Sequence, residues 1–117
     1  MERNEFKLLG RVSELSTECK SSGLVVSNIK IGVSTGKKND EGKTIYDNYF
    51  ITFFRETAEK IIEEVQQGDY IQVTGSLSMN KYTPSEGEKT RYSIKLIGWG
   101  YKKVTFDKDQ NKYIEVI

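Results

Sequence analysis

A chain of 117 residues is enough for one domain with its own core and too short for two. Its composition, 36% hydrophobic and 30% charged with one proline and 10 glycines, excludes a disordered or collagen-like polymer. The absence of histidine excludes the common zinc sites and every His-based triad, and the single Cys19 excludes an internal disulfide.

The formal charge of +1 hides a segregation along the chain. Residues 56–69 hold five acids (Glu56, Glu59, Glu63, Glu64, Asp69) and one base, Lys60, so the rest of the chain carries 17 bases against 12 acids. That imbalance suits a polyanion-facing surface, and it equally suits a solvated acidic helix. No stretch approaches the roughly 18 apolar residues of a spanning helix, and residues 1–20 are studded with charge. Neither an anchor nor a signal peptide is expected, and the expected compartment is the cytoplasm.

In chain order, residues 5–15 alternate at Phe6 and Leu8, break at Gly10 and resume with Val12 and Leu15, which predicts a strand with a glycine bend. Residues 24–33 alternate from Val25 through Ile29, Ile31 and Val33, a half-buried second strand. Ser34 to Thr44 is polar, with Gly36, Gly42, Lys37, Lys38 and Lys43, and predicts a long exposed basic loop. Residues 45–54 carry apolar groups on both faces. If Tyr49, Ile51 and Phe53 point inward, then Tyr46, Asn48, Phe50, Thr52 and Phe54 share the other side. Thr57 to Gln67 switches period, with Ala58, Ile61, Ile62 and Val65 at helical spacing and Gly68 as the stop. Strands follow at Tyr70–Leu77 and Arg91–Trp99, joined by a loop over 78–89 that is long enough to protrude as an arm.

Five strands with one helix between the third and fourth is the element order of an all-β OB-fold barrel. Val104 and Phe106, a polar turn at Asp107–Lys112, then Tyr113 and Ile114 predict an extra C-terminal hairpin. The expected division is an OB-fold domain over 1–100 and an extension over 101–117, packed on the barrel or at an interface.

The stretch Asn4-Glu5-Phe6-Lys7-Leu8-Leu9-Gly10-Arg11-Val12 resembles the first strand of the single-stranded DNA-binding proteins of bacteria and phages. Phe54, then Ala58-Glu59, then Gly68-Asp69-Tyr70-Ile71-Gln72-Val73-Thr74-Gly75-Ser76-Leu77 is similar to that family's strand-three aromatic, helix and strand four. Lys81-Tyr82-Thr83 to Arg91-Tyr92 resembles its basic-aromatic arm. The resemblance runs in order from residue 4 to about 98. It implies an OB fold that assembles as a homodimer or homotetramer, binds single strands with little sequence preference, and has no catalysis, cofactor or metal. RNA shares the same kind of surface as a target.

Single-strand binding needs π surfaces that accept any base and cations that track phosphates. Phe54 and Tyr82 stand where the family stacks bases, and Phe50 and Tyr46 share the face of Phe54 by alternation. Both strand faces cannot line one small core, which assigns that face to nucleic acid. Lys37, Lys38 and Lys43 in the loop, and Lys81, Lys89 and Arg91 around the arm, are the phosphate candidates, with Arg11 and Lys30 on the sheet behind them. Trp99 is read as a packing residue or interface anchor, and Cys19 as an ordinary thiol. Glu59, Glu63 and Glu64 form the solvent face of the helix, with no partner carboxylates for chemistry.

The chain also departs from the family. Asn48 stands where many members have a stacking tryptophan, and the 34–44 loop offers no aromatic. The printed chain closes on Asn111-Lys112-Tyr113-Ile114-Glu115-Val116-Ile117, without a flexible linker or an acidic tip, so tail-mediated recruitment of repair enzymes is not expected. A phage, plasmid or mobile-element protein, or a divergent host paralogue, fits that pattern better than the housekeeping form. The rival reading is an OB-fold adaptor of a replication or recombination complex with weak or no DNA binding.

Overall fold

The computed structural model describes residues 4–116; residues 1–3 and 117 of the two expected segments lie outside the described residues. The elements in chain order are β1 (Phe6–Cys19), β2 (Val25–Lys38), β3 (Thr44–Phe54), α1 (Arg55–Glu64), β4 (Tyr70–Tyr82), β5 (Arg91–Asp107) and β6 (Lys112–Glu115). Neighbouring strands run β3-β2-β1-β4-β5-β6, and every pair in that order is antiparallel. A parallel pairing of β3 with β5, at Ile51↔Leu96 and Thr52↔Ile97, closes the first five strands into a barrel and leaves β6 outside the ring. This is the OB fold that the element order predicts.

Alternation places the core. Ile29 and Ile31 of β2, Ile51 and Phe53 of β3, and Ile71 and Val73 of β4 are all fully buried, as is Val12 of β1. Ala58 and Ile61 of α1 and Val65 just beyond it enter the same cluster, the i, i+3, i+7 stripe of the sequence pattern. Each such aliphatic side chain contributes about 1.5–3 kcal/mol by leaving water. Ser27 and Thr52 are the buried polar side chains among the described residues; the Ser27 hydroxyl donates to the Ala58 carbonyl at 2.8 Å, which ties β2 to the helix without an unpaired buried group. Gly98 makes room for Phe53, because a Cβ there would intrude on the Phe53 ring. Opposite it the ladder slips, with Thr74 paired to Gly100 and Gly75 to Gly98, so Trp99 bulges out and stays exposed.

The element boundaries differ from the sequence expectation in one direction: the strands are longer. The predicted basic loop over 34–44 is mostly ladder, with Lys37 and Lys38 on β2 and Thr44 on β3. Only residues 39–43 turn, held by the Asn39 side-chain oxygen, which accepts the Glu41 and Lys43 amides at 2.9 and 3.0 Å. Likewise β4 and β5 continue as a two-stranded ribbon to Tyr82↔Arg91, so the arm is a β-ribbon with its loop at 83–90. Beyond the barrel both ribbon faces are wet, so hydrophobic period no longer reports the strands. At its other end β5 runs unbroken to Asp107 and the turn leads to β6, where Phe106 pairs with Tyr113.

The helix lies earlier than the predicted 57–67. It follows β3 with no linker, and Arg55 makes the corner with a left-handed backbone, φ 58°. Val65 returns to extended geometry and ends it. The following turn is pinned by the Asp69 carboxylate, which accepts the Gln66 amide at 2.8 Å.

Candidate nucleic-acid interface

Because Ile51 and Phe53 face the core, the odd-numbered and even-numbered residues of β3 separate as predicted. Phe50 is 64% exposed and Tyr46 58% exposed on the outer wall, and Phe54 is half-buried in the same row. Four-residue steps put these rings about 13 Å apart along the strand. Each phenylalanine carries a cation. The Lys30 ammonium, opposite Phe50 in the β2–β3 register, lies 5.6 Å from its ring centroid. The Lys95 ammonium reaches Phe54 from β5, at 5.9 Å. An ammonium over an aromatic face is attracted by the ring quadrupole and stays available to a phosphate. Thr52, between the two rings, donates its hydroxyl to the Asn28 side-chain oxygen at 2.8 Å and is buried.

The wall includes one acid that sequence reading did not place there. Glu14 of β1 pairs across from Lys30, with its carboxylate 3.9 Å from the ammonium. This contact at the surface tethers Lys30 weakly and leaves it competent to exchange partners.

Arg11 is exposed on β1, registered with Gly32 on one side and Tyr70 on the other, so it flanks the Tyr46 end of the row. Lys37, Lys38 and Lys43 gather at the exposed tip of the β2–β3 hairpin, where Lys43 lies 3.9 Å from Glu41.

The arm divides the remaining candidates between two faces. Tyr82 and Arg91 are directly opposite in the ladder and share the face that descends through Lys95 to Phe54. Tyr82 is 53% exposed. Lys81 pairs with Tyr92 on the reverse face, beside Met79, Ile94 and Leu77, all exposed. The sequence run Lys81-Tyr82 therefore does not act from one side. Lys89 is exposed in the 83–90 loop.

Lys95 is the residue that sequence reading missed. Alternation along β5 puts it opposite Leu96, but its partnership with Phe54 depends on barrel closure between β5 and β3.

Among the described residues, no cluster of three metal-ligating side chains forms, and no helix is long and apolar enough to cross a membrane. The titratable group moved furthest is Tyr101, whose hydroxyl donates to the Glu64 carboxylate at 2.6 Å. Burial, and then the neighbouring Glu64 carboxylate, push its phenol well above the ordinary range. Its ring meets Phe53 edge-on at 6.4 Å, so this group braces the core against the helix and takes no part in the outer wall.

A sequence profile described as the single-strand binding protein family matches residues 3–103. A comparison with curated proteins finds no match.

Proposed function

The chain belongs to the single-strand binding protein family, a non-enzymatic OB-fold family that binds single-stranded DNA, and from that premise we propose that it coats and protects single strands without strong sequence preference. The observation that carries this reading is the outer wall of β3, where Phe50 and Phe54 each present a ring with a lysine ammonium beside it. Rings stack on any base, and ammonium groups neutralise phosphates whatever the sequence, so the pairing supplies affinity without a code. On this reading Tyr46, Phe50, Phe54 and Tyr82 take bases. Lys30, Lys95, Arg91 and Arg11 follow the backbone, and Lys37, Lys38, Lys43, Lys81 and Lys89 draw the strand in from the hairpin tip and the arm. Sequestering the bases prevents re-pairing, which is what replication, recombination or the transfer of mobile DNA requires of such a protein. It works in the cytoplasm as a homo-oligomer, with the barrel binding the strand and β6 paired on β5 outside the ring.

The test is a titration of labelled oligo(dT), several tens of nucleotides long, at two salt concentrations with duplex DNA and RNA as competitors. Tight binding that weakens with salt and ignores duplex is expected, with the salt slope counting phosphates engaged. Absence of binding at low salt overturns the proposal. It then favours the adaptor reading, which draws on the exposed apolar reverse face of the arm at Leu77, Met79 and Ile94.

A further inference from the structure

Two open cavities of about 400 and 480 Å³ adjoin on the outer wall and share Gly32, Tyr46 and Tyr70 in their linings. Together they form one groove that crosses β3, β2, β1 and β4 beyond the Tyr46 end of the aromatic row. Its floor dips at Gly32, where a Cβ would meet only the Asn48 side-chain oxygen at 3.7 Å, so no side chain of β2 fills it there. Tyr46 stands on one side and Tyr70 on the other. Tyr70 is backed by the β6 hairpin, with Tyr113 5.9 Å from its ring and Phe106 5.2 Å from Tyr113.

Charge distinguishes this groove from the molecule's other hollows. The charged side chains in its linings are Arg11 and Lys7, both cationic. Each of the other three surface cavities described carries at least one glutamate: Glu56 and Glu59, Glu56, or Glu14. Concavity, tyrosine walls, a floor left open at Gly32 and cations without acids together match a flat π-system attached to a polyanion.

We propose that this groove is a second base-binding segment for the same single strand, with Tyr70 stacking opposite Tyr46, Tyr113 buttressing Tyr70, and Lys7 and Arg11 holding the flanking phosphates. The inference rests on the coating function proposed above and extends its footprint to β4 and β6. A strand leaving Phe50 passes Tyr46 and enters the groove without crossing a carboxylate of its linings. The groove adds aromatic surface beside Asn48, which lines one of its halves and offers no ring of its own.

The experiment measures oligo(dT) affinity and light-scattering mass for the whole protein and for Tyr70→Ala, Tyr70→Trp, Tyr113→Ala and Phe50→Ala. Thermal melts followed by Trp99, which lies outside the groove linings, check the fold. Tyr70→Ala is expected to lose about five- to hundred-fold in affinity, with Tyr113→Ala losing less and Tyr70→Trp keeping full affinity. If Phe50→Ala weakens binding while Tyr70→Ala stays within about two-fold of the parent, the groove assignment is overturned and the coating function stands. If the parent protein binds no single strand, the coating function itself fails and takes the groove with it. A fall in mass for Tyr70→Ala, with affinity per protomer unchanged, overturns the assignment by showing that the tyrosines join copies of the chain.

Discussion

Removing the Phe50 ring isolates base stacking from folding better than any other change on the outer wall. The side chain is 64% exposed and its one aromatic-specific contact is with Lys30, so Phe50→Ala sacrifices about 0.5–1 kcal/mol of fold stability. A base stacked on an exposed ring contributes about 1–3 kcal/mol to single-strand affinity. Lys30 already attends the ring from 5.6 Å, which leaves one free face and favours the lower half of that range. Phe50→Ala should therefore weaken oligo(dT) binding by about five- to thirty-fold, read as a shift in fluorescence-anisotropy titrations at constant salt. The salt slope should not change, because no charge has been removed, whereas Lys30→Gln should reduce it by about one. Phe50→Tyr should restore the parent affinity. A change smaller than about two-fold, with the melting temperature intact, would refute the assignment of Phe50 to bases.

Gly98→Ala drives a methyl into the Phe53 ring at the centre of the core and should cost about 2–3 kcal/mol or more, lowering the denaturant midpoint. Arg55 holds φ 58° at the corner between β3 and α1, and Arg55→Gly should stabilise the fold by about 0.5–1 kcal/mol in chemical denaturation, while Arg55→Val should destabilise it. Tyr101→Phe removes the hydrogen bond to Glu64 and should cost about 1 kcal/mol near neutral pH, a value discounted for partial exposure. The folded-state pKa of Tyr101 lies above its ordinary 10.0, so the folded protein holds this proton more tightly than the unfolded chain does. Its contribution is fully present below that value and is lost as pH rises above it. Denaturation profiles of parent and Tyr101→Phe should thus converge in alkali; profiles that stay parallel there would contradict the assignment.

The barrel was readable where one face of a strand is dry. Ile29, Ile31, Ile51, Phe53, Ile71 and Val73 announce themselves by alternation, and Ala58, Ile61 and Val65 by a change of period. Strand length was not readable, because Lys37, Lys38, Ser78, Asn80 and Ser93 belong to ladders with water on both sides. The row Tyr46, Phe50, Phe54 followed from the parity of β3 alone. Of its cations Lys30 was legible on β2, but Lys95 meets Phe54 only through barrel closure, and Lys81, read as part of a loop, lies on a strand that turns it away from Tyr82. The clustering of Tyr70, Tyr113 and Phe106 depends on β6 returning beside β5, a contact between residues far apart in the chain.

The ring of strands is fastened at β3 and β5 by just two residue pairs, Ile51↔Leu96 and Thr52↔Ile97, which makes this joint the narrowest in the barrel wall. Phe50 and Phe54 flank it on one edge and Lys95 adjoins it on the other. A polynucleotide laid over those three side chains spans the joint from outside, as a splint spans a fracture. Cargo and container then reinforce each other: whatever tightens the closure readies the wall for a strand, and a strand in place resists the parting of β3 from β5. On the proposed binding mode, the amides of these two pairs should exchange with solvent more slowly in the loaded protein than in the free one.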